Sequence, residues 1–168
     1  MIDKWLTHQD VPIFFALTLV AAIGGCKEPA GSAPPERAQA VDFAAAIELH
    51  PRYDAAAHAI VVEVSIAPGF HAYAEGETVG RPLKLEVAGA EPIELSGAPR
   101  YPAGREKMLP IGRSMVVEGK SEIVAPIVKR GTTEAPSAGT PFKANLSYQV
   151  CKETACDRPR TLEIQLST

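Results

Sequence analysis

The chain carries no excess of positive charge: 17 Lys and Arg stand against 20 Asp and Glu over 168 residues. That balance provides no basic stripe to draw nucleic acid, so nucleic-acid binding is set aside. It also lacks an ordinary membrane-spanning helix, since the apolar run Ile13–Ile23 (IFFALTLVAAI) falls well short of the roughly 20 residues a span needs. No Ser/His/Asp arrangement, phosphate-cradling glycine loop or catalytic carboxylate pair stands out, which leaves hydrolase and nucleotide-dependent readings without support. No internal repeat of convincing length is present. Cysteine is scarce, at three residues, and none belongs to a Cys-x-x-Cys motif, so no thioredoxin-type helix N-terminus is on hand to acidify a thiol.

The three cysteines divide by position. Cys26 follows the apolar run as Ile23-Gly24-Gly25-Cys26. A short, early apolar segment ended by small residues reads as a signal peptide; a buried amino-terminal helix is the alternative. The four residues resemble the lipobox of bacterial lipoproteins, in which the cysteine is lipidated and becomes the new first residue. Asp3 and Asp10 beside Lys4 depart from the usual positive leader. The resemblance implies a signal peptide over 1–25, lipid at Cys26 and attachment to a membrane of the bacterial cell envelope, facing the periplasm. Lys27, rather than aspartate, after the cysteine points to the outer membrane in a host with two. Residues Lys27–Gln39 (KEPAGSAPPERAQ) are Pro, Ala and polar without a period, so 26–39 reads as the lipidated cysteine and a tether. Residues 40–168 then form one domain, large enough for its own core and expected to be monomeric.

That domain reads as all-β. Ile60, Val62, Val64 and Ile66 alternate with Val61, Glu63 and Ser65, and Leu83, Leu85 and Val87 with Lys84 and Glu86, as half-buried strands do. Ile123, Ala125 and Ile127 repeat the pattern, with Pro126 arguing for an edge or a bulge. Phe142, Ala144, Leu146, Tyr148 and Val150 line one face of a further strand, and Leu162, Ile164 and Leu166 line another. Asp42–Ala46 is helical by propensity, but Phe43, Ala45, Ile47 and Leu49 alternate, which predicts a strand. Turns fit at Pro68-Gly69, Gly89-Ala90, Gly97–Gly104, Glu118-Gly119 and Gly131–Gly139. Short alternating strands at this spacing predict a two-sheet sandwich, because each sheet must bury its apolar face against another layer; a small, partly open barrel is the alternative.

Cys151 and Cys156 lie at the end of the Phe142–Val150 strand and across a short loop. In an oxidising compartment such a pair can cycle or persist as a disulfide. Lys152 and Arg158 favour a thiolate there, while Glu153 and Asp157 oppose it. Arg158 makes Cys156 the preferred attacking sulfur; Cys151, behind Tyr148 and Val150, is the more buried resolving partner. Three readings remain open from the residues: thiol–disulfide exchange, an inert structural disulfide, and a copper module using the pair with Met108, Met115, His50, His58 or His71, since soft sulfur suits Cu(I). Met108 and Met115 otherwise fill core gaps, and His71 and Tyr73 belong to strand packing or its rim.

The segment Leu146–Pro159, LSYQVCKETACDRP, resembles the cysteine hairpin of the amino-terminal domain of the thiol:disulfide interchange protein DsbD and its stand-alone relatives: an aromatic-Gln-x-Cys strand end, a short loop, a second cysteine and a following proline. The match is strongest at Tyr148, Gln149, Cys151, Cys156 and Pro159, and Gly69–Glu75 (GFHAYAE) resembles that family's Gly-aromatic-x-x-Tyr strand. The resemblance implies an immunoglobulin-like β-sandwich without a cofactor. It further implies a Cys151–Cys156 redox disulfide in which the second cysteine forms the mixed disulfide. Electrons would pass from a thioredoxin-like or DsbD-type membrane donor, supplied by another protein, to envelope proteins with disulfides. Two departures stand out. The family's acidic and aromatic cap loop has its counterpart in Lys107–Gly112 (KMLPIG), where Met108, Leu109, Pro110 and Ile111 offer bulk, with Leu109 or Ile111 expected to shield the sulfurs. Asp157-Arg158 precedes Pro159 where relatives often carry an apolar residue and a proline.

Overall fold

Alternation of β-branched and polar residues organises the described residues into twelve strands: β1 (Ile47–Asp54), β2 (Ala59–Ile66), β3 (His71–Tyr73), β4 (Lys84–Val87), β5 (Ile93–Leu95), β6 (Arg105–Leu109), β7 (Gly112–Val117), β8 (Lys120–Lys129), β9 (Pro141–Tyr148), β10 (Val150–Lys152), β11 (Ala155–Cys156) and β12 (Arg160–Ser167). The structure, a computed structural model, describes residues 41–153 and 155–168. The apolar run, Cys26 and the tether lie outside the described residues. No helix occurs among those described.

Two layers carry the core. One is a four-stranded sheet in the order β1-β2-β8-β5, the other a three-stranded sheet in the order β12-β9-β4. Their inner faces supply Ile60, Val62 and Val64 of β2, Ile123, Ala125 and Ile127 of β8, Phe142, Ala144 and Leu146 of β9, Leu85 of β4 and Ile164 of β12, all buried in one cluster. The period of two places this row in the core and most of its neighbours on the outer faces, half-buried or exposed, with buried Val61 an exception on β2. The fold is therefore all-β, a two-layer sandwich as the pattern predicts.

A third sheet, in the order β11-β10-β3-β7-β6, extends this frame. One of its faces joins the main core through Ala72 and Val117. Its other face buries Tyr73, Leu109, Val116 and Cys151 in a separate small cluster. The cysteine hairpin continues directly from β9, whose register with β12 is unbroken from Pro141↔Ser167 to Tyr148↔Arg160. The main sandwich thus fixes where the sulfurs sit.

Three local expectations are corrected. Residues 42–46 form a turn, not the start of a strand: Asp42 Oδ1 accepts from the Ala44 amide at 2.9 Å, and the Ala46 carbonyl accepts from Ala67 N at 3.0 Å. An Asx turn offers this backbone a local partner that competes with pairing. Pro126 lies on an interior strand, since β8 runs between β2 and β5. It is tolerated because the partner on that side is interrupted: Val124 exchanges hydrogen bonds with Arg100, the Pro126 carbonyl accepts from Ser96, and β5 pairs only from Leu95↔Ile127 onward. Lys107–Gly112 is not a loop but the tip of the β6–β7 hairpin, with Pro110 and Ile111 as its turn and Leu109 paired with Gly112.

Candidate functional site

Cys151 and Cys156 are direct cross-strand partners, because β10 and β11 pair Cys151↔Cys156 and Lys152↔Ala155. The two sulfurs are bonded, with Cα atoms 4.0 Å apart. Glu153 in the intervening turn has φ 50°, the left-handed conformation that closes so short a connection. The Asp157 amide donates to the Val150 carbonyl at 2.9 Å and locks the strand beyond the second cysteine. The pair is asymmetric: Cys151 is fully buried and Cys156 is exposed.

Tyr73 links the two sulfurs. Its Oη lies 3.7 Å from Cys151 Sγ and 3.9 Å from Cys156 Sγ. Bonded sulfurs carry no hydrogen, so the phenol is the donor. Burial, then the nearby Glu77 charge, raises the Tyr73 pKa and keeps that proton in place. The ring is held by close packing: Gly80, at φ 71°, lies so near it that a side chain there would collide with the Tyr73 ring and Gln149 Oε1. Gln149 in turn accepts from the Arg81 amide at 3.0 Å and donates through Nε2 to the Asp157 carbonyl at 2.9 Å, tying the Gly80 segment to the cysteine hairpin.

The remaining candidate residues separate into near and far. Leu109 is 6 % exposed and packs with Tyr73, Val116 and Cys151, whereas Ile111 is 62 % and Met108 68 % exposed. Of the two residues expected to shield the sulfurs, Leu109 contacts the site and Ile111 faces solvent with Pro110. Met108 and Met115 do not fill core gaps: both are exposed, Met108 fully on the β6–β7 hairpin and Met115 in part. Tyr148 packs against the main core, while Arg158 and Pro159 are exposed. Asp157 is committed to Arg160, whose side-chain hydrogen bond lowers its pKa. Lys152 reaches over the Phe70 ring, with Nζ 5.5 Å from its centre. Of the copper set only His71 comes beside the cysteines: His50 stands beside Glu48 on β1, and His58 bonds Tyr53 on the same hairpin, both on a different sheet from the sulfurs. Among the described residues, no group of three His, Cys, Asp or Glu side chains is placed to hold a metal.

Sequence reasoning placed His71 and Tyr73 in strand packing but did not bring them to the disulfide, and it missed Glu118. His71 is directly opposite Cys151 in the β3–β10 register and is fully buried, and neither ring nitrogen has a partner. Glu118 pairs with both Arg105 and Lys107, the latter at 2.7 Å. The signal was the GFHAYAE strand, whose period of two puts His71 and Tyr73 on one face.

Burial lowers the His71 pKa, and the Lys107 charge acts in the same direction. The unfolded chain takes up this proton near pH 6.5, as a free histidine does, while the folded protein stays neutral to lower pH. The His71 contribution is therefore fully present above about pH 6.5 and is lost as pH falls from there toward the depressed folded value. In urea melts between about pH 5 and 7.5, His71→Phe should flatten this acid-side decline. At pH 7 it should leave stability unchanged or raised by about 1 kcal/mol, because two unpartnered buried nitrogens are removed.

The site therefore offers one accessible and one sealed sulfur, bonded to each other, beneath a protonated phenol. The N-terminal domain of a Neisseria meningitidis DsbD, solved in the reduced form, superposes with a TM-score of 0.54 at 22 % identity, over 73 % of this chain and 86 % of that one. The N-terminal periplasmic domain of ScsB from Proteus mirabilis matches with a TM-score of 0.47 at 12 % identity, over 71 % of this chain and 44 % of that one. No curated protein matches the chain in sequence. The Neisseria likeness makes the sandwich immunoglobulin-like. With residues 37–168 matching the family described as "Thiol:disulfide interchange protein DsbD, N-terminal", this chain belongs to that family.

Proposed function

We propose that this chain exchanges thiols and disulfides in the bacterial cell envelope, relaying electrons between a thioredoxin-like or DsbD-type membrane donor and the disulfides of envelope proteins. The observation that carries this reading is the asymmetry of the pair: Cys156 is exposed while its partner Cys151 is sealed under Leu109 and Tyr73. An inert staple has no need of one open sulfur. An exchange pair does, because the entering thiolate must meet a partner while the resolving thiol waits out of reach of others. Reduced protein presents Cys156 to a partner disulfide, forms an intermolecular disulfide and is released when Cys151 attacks Cys156. The partner leaves with two electrons and this protein leaves oxidised. Tyr73 Oη, within reach of both sulfurs, stabilises whichever one holds negative charge.

The reading assigns 40–168 to the exchange domain, 26–39 to a tether and 1–25 to a signal peptide, with lipid at Cys26 holding a monomer at the membrane, the outer one in a host with two. The mass of protein extracted from the native envelope checks the anchor. The exchange itself is tested by mixing reduced protein with a disulfide-bonded thioredoxin-like acceptor under anaerobic conditions. Acceptor thiols should rise in proportion to the Cys151–Cys156 disulfide formed. No transfer over hours would leave the pair a structural staple.

A further inference from the structure

The sealed sulfur poses a problem of proton traffic. To resolve a mixed disulfide, the Cys151 thiol must lose its proton, yet Cys151 is fully buried, so water and hydroxide do not reach it in the closed fold. The face around it narrows the possible acceptors. Tyr73, on the same strand as His71, holds its own proton and serves as a donor. From β6, half-buried Lys107 and exposed Arg105 both pair with Glu118, just past the end of β7. Ser114 of β7 is buried but is not a base at neutral pH. Lys152 of β10 is turned onto Phe70, and on β11 the Cys156 sulfur is itself a reactant. That leaves His71. It is paired with Cys151 across β3 and β10, so the two side chains leave the sheet on one face with Cβ atoms about 5 Å apart. Its ring meets Tyr73 edge to face at 5.9 Å. Both ring nitrogens are buried without partners, which is a cost the fold has no structural reason to carry.

We infer that His71 is the internal proton acceptor for Cys151 in the resolving step, a role that rests on the exchange reading above. The Cys151 thiol gives its proton to the free imidazole nitrogen as the sulfur's electron pair forms the bond to Cys156 Sγ. The bond from Cys156 Sγ to the partner sulfur breaks, and its electron pair leaves on the partner as a thiolate. The imidazolium then returns its proton through the opened site to solvent, where the partner thiolate takes one up. Burial keeps His71 neutral, and so able to accept, across the neutral range.

The test uses full-length reduced protein and one equivalent of 5,5'-dithiobis(2-nitrobenzoate) in stopped flow. The first thionitrobenzoate released reports attack by Cys156, and the second reports resolution by Cys151. With an internal base, the second phase of the native protein should be nearly flat in rate from about pH 6.5 to 8, because the base is held opposite the thiol across β3 and β10 and no proton acceptor from solvent is needed. In His71→Gln, which keeps a polar ring-sized group but cannot accept a proton, that phase should slow on the order of 100-fold near pH 7 and climb about tenfold per pH unit, with the first phase unchanged. A native second phase that itself climbs tenfold per pH unit would overturn the inference without any variant. A His71→Gln protein that keeps the native rate and profile would overturn it too. In both cases two equivalents are still released and the exchange reading stands. Release of fewer than two equivalents at every pH would sink the exchange reading, and this role with it.

Discussion

Replacing Cys151 with alanine should convert the protein from a relay into a trap. The exposed Cys156 still attacks partner disulfides, but the sealed thiol that would release them is gone. A thiol held in the same hairpin acts at an effective concentration far above any free thiol in solution, so its loss should raise the yield of intermolecular disulfides at least about tenfold. Envelope extracts run without reductant and analysed by peptide mapping give the result, with crosslinks through Cys156. Cys156→Ala should trap little, because Cys151 lies under Leu109 and Tyr73 and cannot meet a second protein. Crosslinks running mainly through Cys151 would reverse the assigned order of attack.

Leu109→Ala should open the site from the other side. Leu109 is the apolar wall that the hairpin tip lays against Tyr73 and Cys151, and truncating a buried leucine typically costs about 2–5 kcal/mol. Because the wall lies on a short hairpin at the sheet edge, much of that loss should appear as local opening rather than global unfolding. A lowering of the opening free energy by about 2 kcal/mol corresponds to about a 30-fold faster alkylation of reduced Cys151. The cleanest readout is alkylation in a Cys156→Ala background, beside a thermal melt that confirms the fold. Ile111→Ala should leave the rate unchanged, since that side chain already faces solvent. Equal rates for Leu109→Ala and its parent would remove the wall.

The difference between these two side chains marks the limit of what the sequence made legible. The strands of the main sandwich were readable because each buries one face: Ile60, Val62 and Val64, or Phe142, Ala144 and Leu146, write the core as a row of alternate apolar residues. The cysteine pair was readable for the same reason, as the continuation of one such strand. KMLPIG was not, because its apolar residues are consecutive and carry no period. Only the pairing of Leu109 with Gly112 decides that Leu109 turns inward and Ile111 outward. Phe43 and Ala45 gave the opposite error. They alternate, but an alanine commits little surface to a core, and the Asp42 turn wins. The third sheet, with the convergence of His71, Tyr73 and Cys151, depends on pairings between β3, β7 and β10, which lie far apart in sequence and which no local pattern encodes.

The most direct measurement of the central claim is equilibration of the purified protein against a graded glutathione or dithiothreitol series, with thiol labelling and far-ultraviolet circular dichroism read on each sample. The core that joins the two main layers includes neither cysteine, and a six-residue disulfide loop contributes only about 2 kcal/mol by chain entropy. Reduction should therefore be reversible, should leave the β signal in place and should have its midpoint above the region near roughly −300 mV where inert structural disulfides lie. A midpoint well below that region, or loss of the β signal together with the disulfide, would contradict the account and leave Cys151–Cys156 as a structural staple.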